Sequence, residues 1–308
     1  MPAGPPPPAA SRRAGDVIAR RYAVFGLDIA SQIELPDLAP GTDAPADVTI
    51  RLGTVDSDAR GPGLDVQGDM AVLVVPDVAR FCIAAGRDMT VEPAPGAAMR
   101  DVRLYVLGSA MGAVLHQRGL LPLHANAVGI GNGTVALLGH SGAGKSTLAG
   151  WFHDRGHRVL SDDVCVVDPD GRVAPGIPRL RLWRDALEAS GRDPGDHAVS
   201  YAGADKFDVP IAATEDQPLP LRAIYLLGRA EPTTITPLTG AHAVAALVAN
   251  TYRGSYVRAA GLAGRHLAAC TDLARRVPVF AFDRRWDQAC IDADAAVLVA
   301  HAQGLAAR

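Results

Sequence analysis

The stretch Gly139-His140-Ser141-Gly142-Ala143-Gly144-Lys145-Ser146 constrains this chain more than any other segment. It matches the pattern G-x-x-x-x-G-K-[ST]. Upstream, Thr134-Val135-Ala136-Leu137-Leu138 is apolar and partly β-branched, which predicts a buried strand. Downstream, Ser146 to Phe152 predicts a helix ending near Gly156. Strand, glycine turn and helix in that order point to an α/β fold. In such a loop, successive backbone N–H groups wrap phosphate oxygens. The lysine neutralises their charge and the serine hydroxyl holds Mg2+. The candidate nucleotide contacts are therefore Gly139, His140, Ser141, Gly142, Ala143, Gly144, Lys145, Ser146 and Thr147, with Ser146 on the metal.

Of 30 basic residues only Lys145 and Lys206 are lysines. A compact ammonium suits a narrow anion nest that a planar guanidinium fits poorly. The same scarcity singles out Lys206, in Asp205-Lys206-Phe207-Asp208, as a second phosphate-facing cation. The competing reading is an ordinary surface lysine.

The rest of the composition excludes more than it assigns. A net charge of −3 over 308 residues gives no electrostatic argument for nucleic acid or for an anionic membrane. No apolar run approaches a membrane span. A soluble, cytoplasmic protein is expected, with self-association left open. Residues 1–15 are proline-rich, lack the apolar centre of a signal peptide, and read as a disordered tail. Cys82, Cys165, Cys270 and Cys290 have no metal spacing and read as reduced thiols.

Residues 16–96 carry short strand-like runs separated by Gly, Pro and Asp clusters, and predict a small β-rich N-terminal domain ending at Pro93-Ala94-Pro95-Gly96. Residues 97–308 form the second unit. There, Val102 to Arg118 and the segments 241–252 and 261–275 have helical spacing, and Cys290 to Gln303 predicts a terminal helix. Leu121 to Val128, Arg158 to Asp163, Val164 to Val167 and Ala223 to Gly228 predict strands, with a turn at Asp168-Pro169-Asp170-Gly171. Val277 to Phe282 reads as an edge-tolerant strand, because Pro278 lacks a donor.

Asp162 and Asp163 stand at a strand end. One carboxylate there can hold Mg2+ while its neighbour accepts a proton from a hydroxyl nucleophile. The plain alternative is a polar strand end that caps the next turn. His124, closing an apolar run, is either a catalytic neighbour or a satisfied rim residue. Arg179, Arg181 and Arg253 are candidate contacts to an acidic or phosphorylated ligand, or else surface residues. No G-x-S-x-G elbow or Ser-His-Asp order is present.

Taken together, His124, the strand to Leu138, Gly139 to Thr147, Arg155-Gly156-His157 and Ser161-Asp162-Asp163 resemble the catalytic domain of the HPr kinase/phosphorylase family. The likeness is specific over about residues 118–168 and looser towards 300. It implies a P-loop kinase domain similar to HPr kinase and phosphoenolpyruvate carboxykinase, using ATP and Mg2+ to phosphorylate a serine. Under it Lys145 and Ser146 bind phosphates and metal, Asp162 is the general base, Asp163 a metal partner, and His124 an orienting or acid/base neighbour. Three features depart from the family: Ala125 replaces its glycine, Thr147 replaces its acidic residue, and its second signature, linked to the reverse reaction, has no counterpart. Kinase activity is therefore the expectation. The form "LHANAV … GHSGAGKSTLA … SDDV … NTYRG" is similar to HPr-kinase-like serine kinases of natural-product clusters, some acting on lasso-peptide precursors. The alternatives are a bifunctional HPr kinase/phosphorylase of carbon regulation and a nucleotide-binding module without phosphotransfer.

Overall fold

The computed structural model describes residues 20–59, 61–200, 203–212 and 217–306. The expected N-terminal tail lies outside them. The described residues form a mixed α/β molecule with three sheets.

The first sheet collects the short runs that alternate apolar with polar residues. Its strands are β1 (Arg20–Val24), β2 (Leu27–Ser31), β3 (Ala39–Pro40), β4 (Val48–Leu52), β5 (Gly63–Gln67), β6 (Met70–Val75), β7 (Ala79–Ala84) and β8 (Asp88–Pro93). They lie in the order β3-β1-β2-β4-β8-β7-β6-β5. Alternation puts Phe81, Ile83, Met89 and Val91 on one buried face. That face packs on a helical segment made of α1 (Met99–Tyr105), a π-helical turn (Val106–Ala110) and α2 (Met111–Gln117). Val102, Val106, Met111 and Val114 supply its buried stripe. Each such side chain contributes roughly 1.5–3 kcal/mol when fully buried.

The second sheet carries the loop. Its strands are β9 (Leu121–Leu123), β10 (Ala125–Ile130), β11 (Gly133–Leu138), β12 (Val159–Ser161), β13 (Cys165–Val167) and β14 (Arg172–Val173), together with three later ones. β11 pairs antiparallel with β10 and parallel with the long strand Leu219–Arg229. Every residue of β11 is buried, which explains its continuous apolar run. α3 (Lys145–Asp154) follows the loop and buries Leu148, Ala149 and Phe152.

A three-stranded ribbon of β15 (Arg179–Trp183), β16 (Ala198–Val199) and β17 (Lys206–Pro210) lies beside α3, with α4 (Arg184–Ala189) at its end. Leu180, Leu182, Phe207 and Val209 share a core with Leu148 and Phe152. By strand alternation Arg179, Arg181, Trp183, Lys206 and Asp208 therefore take the other face.

The chain closes with β18 (Leu219–Arg229), β19 (Thr234–Leu238), α5 (Gly240–Ala249), α6 (Gly254–Ala259), α7 (Ala263–Arg276), β20 (Val279–Arg284) and α8 (Ile291–Ala306). β20 is not an edge strand. It pairs parallel with β18 and antiparallel with β19, because Pro278 falls just before the ladder and offers only its carbonyl, which accepts from Ile224 N–H. The apolar run from Leu121 is likewise two strands broken at His124. The four cysteines are free thiols. Among the described residues no helix is long and apolar enough to cross a membrane.

Candidate functional site

β11 ends at Leu138, and the chain then turns through Gly139 (φ +151°), Gly142 (+85°) and Gly144 (+84°) before α3 starts at Lys145. A side chain at Gly144 would run into the Arg284 guanidinium, so a glycine is required there for space as well as for backbone angle. Lys145 is buried, and its Nζ donates to the carbonyls of Gly139 (2.6 Å) and His140 (3.2 Å). Burial pushes the Lys145 ammonium below its ordinary range; the carboxylate of Asp163 opposes this and the charge of Lys206 adds to it. An anion in the loop would relieve that cost.

The two aspartates point to different partners. Asp162 Oδ1 accepts from Ser146 Oγ at 3.1 Å, and Oδ2 accepts from the Arg181 backbone N–H. Burial, and next the neighbouring Asp163 charge, push the Asp162 carboxyl up to about 6. Asp163 adopts φ +74°, and its N–H donates to Asn126 Oδ1 at 3.2 Å. Its carboxylate still lines the cleft of the loop, beside His124 and Arg181. Oδ1 lies 3.3 Å from His124 Nδ1 and Oδ2 lies 3.5 Å from Arg181 Nη1. Burial lowers the His124 pKa, against the pull of Asp163, so the neutral ring is favoured near pH 7.

His124 is itself fixed from the sequence-distant segment 250–252. Its N–H donates to the Asn250 carbonyl at 2.6 Å, and its ring stacks on Tyr252 with centroids 6.4 Å apart. Asn250 Oδ1 also accepts from the Gly139 N–H at 3.1 Å, which ties the loop to the same segment. Gly112 leaves room for this strap, since a Cβ there would stand 3.0 Å from Arg253 Cγ and 3.2 Å from the Tyr252 ring.

The ribbon delivers the cations. Arg181 bridges Asp163 and Asp208 (Nε to Oδ1, 3.2 Å), and Arg179 is held by Asp37 at 3.0 Å and Asp208 at 3.5 Å. Lys206 Nζ stands over the Trp183 ring at 5.1 Å. Arg253 lies across the cleft, its guanidinium over the Tyr252 ring at 5.2 Å. The structure thus brings Lys145, Ser146, Asp162, Asp163, His124, Arg181 and Lys206 together, with Arg179 and Arg253 further out.

Two clefts meet here. One, of about 580 Å³, is lined by Ser141, Gly142, Gly144, Lys145, Ser146 and Thr147. The other, of about 660 Å³, opens towards Phe25 and Tyr105 and carries Arg179, Arg181 and Arg253. His124, Asp163 and Lys206 line both. Asn126, Asn250, Tyr252 and Asp208 hold these side chains in place, contacts to which the motifs assigned no role. The Arg-Leu-Arg-Leu-Trp alternation at 179–183 was the available signal for the ribbon.

Among the described residues no cluster of three or more His, Cys, Asp or Glu could cage a metal. A hydroxyl and one carboxylate, as at Ser146 and Asp162, instead suit Mg2+, which takes few protein oxygens beside phosphate and water.

No family model matches the chain, and no curated protein matches it. Among solved structures, it is similar to the Hpr(Ser) kinase/phosphatase from Coxiella burnetii. The identity is 15% over 59% of this chain and 97% of that chain, with a TM-score of 0.25.

Proposed function

We propose that the protein is an ATP- and Mg2+-dependent serine kinase that transfers the γ-phosphoryl group to a serine hydroxyl of a peptide or protein. One observation carries this reading: Asp163 and His124 stand where the glycine-loop cleft joins a second cleft. A binding module needs the first cleft only. A transferase needs an acceptor space and a proton acceptor between the two.

In this proposal the roles of the two carboxylates are exchanged relative to the expectation from resemblance. Asp162, against the Ser146 hydroxyl, takes the metal side; Asp163, facing the junction, takes the acceptor proton. Mg2+ held by Ser146 and Asp162 would neutralise charge on the phosphates. Lys145 releases its own loop carbonyls and turns to the phosphates. His124, neutral, orients the Asp163 carboxylate, and Arg181 fixes its other oxygen. Lys206 stands at the junction as a further cation for the transferring group. The chemistry is positioning and charge neutralisation, with no covalent intermediate.

The acceptor class we propose is a natural-product precursor peptide of the lasso type, supported by the sequence resemblance alone. Incubation of such a serine-bearing peptide with ATP and Mg2+, followed by mass spectrometry, tests the reading. A phosphoserine product that disappears with Lys145→Ala is expected. Nucleotide binding without product across peptide and HPr acceptors would refute it.

A further inference from the structure

On the reading that the loop holds a nucleoside triphosphate, we infer that the base of that nucleotide stacks on Trp286. The phosphate chain has a direction in this site. Its terminal end is set by Lys145, Ser146 and Asp162, and Asp162 follows β12, which lies on the β10 side of β11. The other end must leave across the opposite neighbours of β11. These are β18 and then β20, both parallel to it, so their carboxyl ends share the edge from which the loop departs.

That edge carries a site of the right chemistry. Arg229 ends β18, Arg284 ends β20, and Trp286 follows two residues later. Arg284 reaches under the loop at Gly144. Trp286 is 36% exposed, and its Nε1–H donates to the Gly228 carbonyl at 3.2 Å. The indole is thus anchored by one edge with its ring presented to solvent. His140, from the loop itself, has its ring centroid 5.3 Å away. The exposed Arg229 guanidinium lies over the indole at 5.7 Å.

A surface cation over an indole is a weak contact, and a nucleobase stacked on the ring is a stronger one. The base therefore displaces Arg229 from the ring, and the freed guanidinium turns to the ribose–phosphate side. Stacking reads the π-face and not a hydrogen-bond code. That accounts for a chain without an adenine-reading motif.

Calorimetry with MgATP and with magnesium tripolyphosphate separates the base from the phosphates. The wild-type protein should bind ATP at least about tenfold more tightly than tripolyphosphate. Trp286→Ala should erase that difference, weakening ATP about tenfold and leaving tripolyphosphate unchanged. Trp286→Phe should keep most of it. If Trp286→Ala binds ATP as the wild type does, or if the wild type binds the two ligands equally, the inference is wrong. If Trp286→Ala also loses tripolyphosphate, Trp286→Leu against Trp286→Phe decides: equal ATP affinities overturn it, and weaker ATP with Leu alone supports it. Wild-type protein that binds neither ligand would remove the nucleotide reading itself, and this inference with it.

Discussion

Ser146 Oγ and Asp162 Oδ1 are 3.1 Å apart, joining the first turn of α3 to the end of β12 across the mouth of the loop. The next residue, Asp163, is turned by its positive φ to His124 instead. Adjacent carboxylates on one strand end thus take different partners, Asp162 the Ser146 hydroxyl and Asp163 the His124 ring where the two clefts meet.

The two asparagine variants should therefore differ in kind. Asp163→Asn should lower kcat by about 10²–10⁴-fold, the usual range for loss of a general base, with the ATP dissociation constant near wild type. Asp162→Asn should instead raise the Mg2+ concentration needed for half-maximal rate. Titrating Mg2+ at saturating ATP distinguishes them. Normal turnover in Asp163→Asn would return the base to Asp162.

Asp162 also costs stability at neutral pH. Its carboxyl titrates at about 6 in the fold, against an ordinary 3.8, because burial and then the charge of Asp163 disfavour ionisation. Between those values the folded state binds more protons than the unfolded one, so stability falls as pH rises through the window. Asp162→Asn removes the ionisation and can still bond Ser146 Oγ and the Arg181 N–H. In metal-free buffer at pH 7.5 it should be about 1–3 kcal/mol more stable than wild type, and the gap should close near pH 4. Paired denaturation curves at the two pH values check this; an unchanged gap would mean that ionisation is not its source.

The parts of this site that were legible in the sequence are those whose chemistry is local. Gly139 to Ser146 contains its own donors, its own lysine and its own helix start, so eight contiguous residues describe it. Asp162 and Asp163 announced two adjacent carboxylates but not which partner each takes. That difference depends on one φ angle and on Asn126, a buried residue of β10 indistinguishable in sequence from any polar interruption of a strand. Asn250 and Tyr252 stand in the Asn-Thr-Tyr-Arg-Gly run, but their partners were hidden for a different reason. They act over more than 100 residues of separation, through a backbone bridge from Thr251 to Leu123 that no periodicity encodes. The scarcity of lysine, by contrast, singled out Lys206, which lines both clefts.

Lys206 sits on the ribbon and not on the loop, so its removal should leave the phosphate nest intact. Lys206→Ala should reduce kcat by about tenfold or more while changing the ATP dissociation constant less than threefold, as expected for charge offered mainly to the transferring group. Steady-state kinetics beside calorimetry give both numbers. Unchanged kcat would make Lys206 a mere cover for the Trp183 ring, on which it stands at 5.1 Å.

Gly142 and Gly144 share a nearly identical backbone angle, φ +85° and +84°, but differ in surroundings. A Cβ at Gly142 would meet nothing within 4 Å, whereas one at Gly144 would collide with the Arg284 guanidinium. Arg284 cannot easily retreat. It is buried, its Nη1 donates to the Arg285 carbonyl at 3.1 Å, and Asp294 lies 3.9 Å away. Gly142→Ala should therefore cost only the backbone penalty of about 1–2 kcal/mol. Gly144→Ala should add an overpacking cost of about 1–3 kcal/mol and disturb the start of α3, where Lys145 begins. Urea denaturation of the pair measures the difference. Equal losses would mean that the loop needs glycine at 144 for its angle alone, and that Arg284 gives way.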